Sequence, residues 1–206
     1  MFSQISLYIF SLGLAAILPG PGMTGLLFKR LSQDSKHGFL MLFGLITGDL
    51  IYLSTSIFGL SFFQRFNPNF IDYIQVLSSI YLIYLAYKFW TFNGLNISSF
   101  SPKPLISLKF SSYFDGLIIT LSNPKTISFY LALLPAIFPL SNTISPQLFL
   151  IIVICTVLTL LIIGGLYIIF ALKMKSKLQN IRTQRMIFKF TAIFMFCLAI
   201  KLLHQI

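Results

Sequence analysis

The run Leu18-Pro19-Gly20-Pro21-Gly22-Met23 falls inside an apolar stretch that extends from Phe2 to Leu31. Two prolines remove two backbone donors and clash with the preceding turn, and two glycines add freedom, so an uninterrupted helix here is disfavoured. The helix is expected to break. In hydrocarbon, each freed amide or carbonyl costs several kcal/mol, so irregular backbone persists only inside a bundle or beside a cavity. A kink needs one proline, whereas this stretch carries four breakers in a row. Gly116 to Pro124 repeats the spacing of Gly13 to Pro21. Two corresponding interruptions in two halves point to a transporter built from a repeat.

The membrane enters through composition. Hydrophobic residues make up 57% of the 206 residues and charged ones 9%, with a mean hydropathy of +0.90, too little polar surface to clothe a soluble globule of this size. The net charge of +11 is gathered in alternate connections. Lys29, Arg30 and Lys36 lie in one, Lys88, Lys103 and Lys109 in or around another, and Lys173, Lys175, Lys177, Arg182 and Arg185 in a third. That is the positive-inside pattern, and it makes anionic lipid rather than nucleic acid the partner of the charge. Met1-Phe2-Ser3-Gln4 has no basic residue before the apolar run, which argues against a cleaved signal. Cys155 and Cys197 sit in separate apolar runs and read as small packing residues.

Spanning about 30 Å of hydrocarbon takes about 20 helical residues, and six stretches qualify. They lie near 3–30 (broken at 19–22), 38–63, 70–92, 112–139 (broken near 123–124), 147–172 and 186–204. The longest connection, rich in Ser, Pro and Lys, divides the chain into a first repeat over about 1–92, a linker over about 93–111 and a second repeat over about 112–206. Three spans per repeat is an odd number, so the second half is inverted relative to the first. The expected fold is an all-α membrane protein of six transmembrane helices in two inverted three-helix repeats, with segments 1 and 4 broken.

Asp49 is one of four acidic residues, and the chain contains no Glu. A carboxylate a third of the way into a span costs at least ~2.5 kcal/mol on insertion scales, which marks it for proton relay or cation binding, or as a structural partner of Lys125. Gly44 and Gly48 are four residues apart and share a helix face that allows a close neighbour. In segment four, Asn123-Pro124 is a breaker pair and Lys125 a full charge directly after it. The half-helix that starts after each break turns the positive end of its dipole toward the gap, a setting for a carboxylate. Lys125 would add charge there, or neutralise Asp49 or Asp115. Asp115 reads as interfacial, and Tyr81 and Tyr84 either line a polar path or pack. No Ser-His-Asp arrangement, phosphate loop or His/Cys metal cluster is present, which leaves an enzyme, a metal site or a cofactor without support.

These residues carry a resemblance. Pro19-Gly20-Pro21, then Gly44-x-x-x-Gly48-Asp49, then Asn123-Pro124-Lys125 with Pro135 ten residues on resemble the LysE/RhtB family of amino-acid exporters. The resemblance implies export of an amino acid or close derivative across the bacterial inner membrane, driven by proton antiport, with a homodimer as a possible assembly. The positions it carries over are Pro19, Gly20, Pro21, Gly48, Asp49, Asn123, Pro124 and Lys125. The family also includes cation and other small-solute exporters, and a non-transporting membrane assembly protein is the reading from another class.

Overall fold

The computed structural model describes residues 2–18, 20–66, 70–92, 111–138, 145–173 and 180–204. Pro19, the connection at 67–69 and most of the linker between the halves lie outside the described residues, as does the side chain of Pro124. The helices in chain order are α1 (Phe2–Ile17), α2 (Pro21–Ser32), α3 (Ser35–Phe66), α4 (Phe70–Trp90), α5 (Ser111–Leu121), α6 (Pro124–Ile137), α7 (Pro146–Ile169) and α8 (Ile181–Leu203). The breaks fall where the prolines and glycines demand them. Pro21 and Pro124 each stand in the first turn of the second half-helix, where a missing N–H leaves no bond unmade. α1 and α2 meet at 56°, α5 and α6 at 63°.

Among the described residues, α3, α7 and α8 are each long and apolar enough to cross a membrane by length and composition, and counting each bent pair as one span gives up to five. The expected third span, α4, is not among them. Its 21 residues include Asp72, Gln75, Ser78, Ser79 and Lys88; the two charged ones are exposed and the three uncharged ones turn inward. Gln75, Ser78 and Ser79 are buried, and the Ser78 hydroxyl donates to the Leu131 carbonyl on α6 at 3.2 Å. The outside of the bundle is apolar. Phe43, Phe58, Leu158, Ile162 and Phe196 are all exposed, a surface suited to acyl chains rather than water.

Two contacts set the position of the interior. The first is the crossing of α3 and α5, the most extensive helix pair among the described residues. A Cβ at Gly44 would fall on the Tyr113 carbonyl oxygen, one at Gly116 on the Met41 carbonyl oxygen, and one at Gly48 2.6 Å from Thr120 Cβ. The glycine face is what lets these backbones touch. The second is an ion pair between the half-helices that end and begin near basic connections. Lys29 Nζ on α2 lies 3.0 Å from Asp115 Oδ2 on α5, with 12% and 8% of the two side chains exposed.

That pair corrects the sequence reading of Asp115, which is buried and committed to Lys29 rather than interfacial. A carboxylate removed from water is retained only with a counter-charge, and Lys29 supplies it. Outside the spans, Asp34 stands just before α3 and accepts from the His37 amide at 3.0 Å, with the His37 ring 2.7 Å away. The amide first, and then the ring, hold the Asp34 carboxyl below the usual carboxylate range.

Candidate functional site

A broken helix in hydrocarbon must find partners for the carbonyls of its last turn. At the end of α1, Lys125 Nζ donates to the Ala15 carbonyl at 2.8 Å and Tyr167 Oη to the Ile17 carbonyl at 2.7 Å. The Leu18 amide closes back on Leu14 O at 3.3 Å, and the Gly20 amide on Leu18 O at 2.7 Å. At the end of α5, Tyr52 Oη donates to the Leu121 carbonyl at 2.5 Å. The Ser122 and Asn123 amides reach Ile118 O and Thr120 O at 2.8 and 3.0 Å. Each rupture is thus sealed by side chains from distant segments, and Lys125 from the second break seals the first.

The helix starts differ. α6 is capped by its own Asn123, whose Oδ1 accepts from the Lys125 amide at 3.1 Å. α2 starts at Gly20, in extended backbone at φ −93° and ψ −178°, with no side chain to cap it. The first turn of α2 therefore presents its amide end without a local acceptor, next to a cation. A Cβ at Gly20 would lie 3.4 Å from Lys125 Nζ.

Between these ends lies a cavity of about 70 Å³. Its polar wall is Gly20, Gly22, Asp49, Thr120, Asn123 and Lys125, and its apolar wall includes Leu12, Ala16, Leu45, Ile46, Phe129 and Leu160. At about 10–15 Å³ per enclosed water, the space holds roughly five waters. Passage of a larger solute requires the surrounding helices to move apart. Asp49 reaches the cavity because its neighbour Gly48 takes the α3–α5 seam against Thr120, leaving the next side chain to turn inward. Asp49 and Lys125 face each other across this space as electrostatic neighbours. Among the described residues the ion pairs within 4 Å are Lys29–Asp115 and His37–Asp34, so these two opposite charges share a cavity without closing on each other.

Of the residues singled out in the sequence, Gly20, Asp49, Asn123 and Lys125 line one cavity. Gly48 sits on the seam beside it, and Pro21 is exposed in the first turn of α2. Tyr84 is 52% exposed and Tyr81 packs on it, rings 5.9 Å apart, so neither lines the cavity. The tyrosines of the interior are Tyr8, Tyr130 and Tyr167 instead, all buried. Their sign in the sequence is a hydroxyl inside an apolar span, which a polar partner elsewhere must explain.

Apolar helices enclose a charged cavity between two helix breaks, and the family that the chain matches is one of membrane translocators rather than enzymes. The chain belongs to the LysE-type translocator family, whose model matches residues 14–206. It is 30% identical to an uncharacterized membrane protein of Synechocystis over 81% of this chain and 78% of that one. It is 27% identical to the uncharacterized membrane protein YrhP of Bacillus subtilis over 94% and 95%. It is 25% identical to the leucine efflux protein of an Enterobacter species over 84% and 85%. No solved structure matches the chain.

Proposed function

We propose that this translocator exports an amino acid or close derivative from the cytoplasm in exchange for protons, from a bacterial plasma membrane. In this reading six spans form two inverted repeats that rock about the central cavity, and α4 crosses with Gln75, Ser78 and Ser79 turned inward. The observation that carries the reading is the unpaired opposition of Asp49 and Lys125 across one cavity. A zwitterion matches it. The solute carboxylate meets the uncapped start of α2 beside Lys125, and its ammonium meets Asp49. Asn123 caps its own helix and completes the polar wall. The leucine efflux relative supports an amino acid as cargo. A proton on Asp49 would compete with the ammonium, which couples release of one to binding of the other.

Gly20→Asp tests this directly. The new carboxylate would cap α2 and face Lys125, taking the place assigned to the solute carboxylate. Helix capping contributes about 1 kcal/mol, so the variant is expected to melt no lower than the parent. Efflux of radiolabelled amino acids from proteoliposomes under a pH gradient is expected to fall by at least about tenfold. Undiminished efflux would remove the carboxylate site from α2.

A further inference from the structure

Above the cavity, away from the basic connections, lies a set of buried hydroxyls that solute binding does not use. Tyr130 on α6, Tyr8 on α1 and Thr156 on α7 are each fully enclosed, at 0% exposure. Tyr8 Oη and Thr156 Oγ1 are 2.6 Å apart. Thr156 directs its own proton to the Ile152 carbonyl at 2.7 Å, so Thr156 is the acceptor and Tyr8 the donor. That leaves a lone pair on Tyr8 open. The Tyr130 hydroxyl is buried without a hydrogen-bond partner of good geometry among the described residues, and its polar neighbours are the Asp49 carboxylate and the Tyr8 hydroxyl. A buried hydroxyl with two acceptors beside it and no well-aligned bond to either is costly in a core unless the hydroxyl is used.

We propose that Tyr130 and Tyr8 form the outer proton branch to Asp49, a relay distinct from the path of the solute. The inference rests on the proton-exchange reading above. α1 and α6 are the half-helices remote from Lys29 and from the basic linker, so the branch runs toward the outer face. Phe138, 2% exposed, lies over Tyr8 with ring centroids 6.0 Å apart and shuts the outer end in this state. When the outer halves part, a hydrated proton from the outer solution is delivered to Tyr8 Oη, leaving neutral water behind. The proton Tyr8 held turns from Thr156 to the Tyr130 oxygen, and Tyr130 passes its own to the Asp49 carboxylate. Each hydroxyl ends with one proton, as it began, and the carboxylate gains one. The titratable groups facing Asp49 are Lys125 and Tyr130 from α6, while Tyr8 from α1 faces Tyr130 and Cys155 from α7 faces Tyr8.

Tyr130→Phe and Tyr8→Phe in full-length protein, reconstituted in liposomes, separate relay from scaffold. Two rates are compared: net efflux of labelled amino acid driven by a pH gradient, and solute-for-solute exchange at equal pH, which needs no proton turnover. Both variants are expected to lose about tenfold or more of the driven rate, to keep exchange within about twofold, and to flatten the pH profile of efflux. Equal loss of both rates, or loss of neither, would overturn the relay. Asp49→Asn run alongside keeps the two layers apart. If it abolishes driven efflux while Tyr130→Phe does not, the relay alone fails; if it too keeps driven efflux, the proton-exchange reading fails first.

Discussion

Asp49→Asn is expected to abolish pH-gradient-driven efflux while leaving the helical bundle folded. Asn keeps the shape of the side chain beside Gly48 and its place on the cavity wall, but it carries no charge and takes up no proton. The charge it removes is one the membrane disfavours by at least ~2.5 kcal/mol, so the fold loses nothing by the change. The melting temperature should stay within about 4 °C of the parent, the shift that one kcal/mol produces at this size. Driven efflux should fall by roughly 100-fold, near the upper end of measured coupling energies. Asp49 gives a cleaner answer than Lys125. Lys125 Nζ is the donor to the Ala15 carbonyl, so replacing it with an apolar residue also strands a buried acceptor at about 1–3 kcal/mol. Melting and efflux measured on the same purified Asp49→Asn protein decide the matter, and unaltered efflux takes Asp49 out of the mechanism.

The second large effect is structural and falls on Gly116→Ala. The added Cβ would land on the Met41 carbonyl oxygen and lie 2.9 Å from the Leu45 amide nitrogen. Both neighbours are backbone within α3, so no rotamer change relieves the overlap and the helices must separate. Overpacking a well-filled core usually costs about 1–3 kcal/mol, and a backbone overlap belongs at or above the top of that range. A drop of about 6–12 °C in melting temperature is expected at ~3 kcal/mol. Efflux should fall with it, because α3 carries Asp49 and α5 carries Thr120 into the same cavity. Gly59→Ala on the same helix is the matched control. A Cβ there meets nothing within 4 Å, and alanine favours the helix by about 1 kcal/mol. Scanning fluorimetry in detergent on the two variants should move them in opposite directions.

The parts of this structure legible in the sequence are those written in local chemistry. Pro21 and Pro124 announce the two breaks because a missing donor and a fixed φ act within a turn, whatever the rest of the chain does. Gly44 and Gly48 announce a close crossing because their spacing alone puts them on one face. The partners were not legible. Lys29 and Asp115 are 86 residues apart, and nothing near either residue states the other. The hydroxyls that seal the breaks were hidden for a similar reason. A freed carbonyl at Ile17 or Leu121 leaves no mark in the sequence, so the tyrosines that meet it, Tyr167 and Tyr52, look like ordinary aromatic residues in apolar spans. Tyr81 and Tyr84 stand at regular spacing in the sequence, yet Tyr84 faces outward from α4.

In the proposed mechanism the two helix breaks open on one site that a solute enters. Cysteine placed as Gly20→Cys or Asn123→Cys, in protein lacking Cys155 and Cys197, and challenged with a water-soluble thiol reagent, tests it most directly. Both positions are expected to react, and a saturating transported amino acid is expected to slow both reactions together. Two positions that stay unreactive from either side of the membrane, or that react without regard to solute, would contradict it.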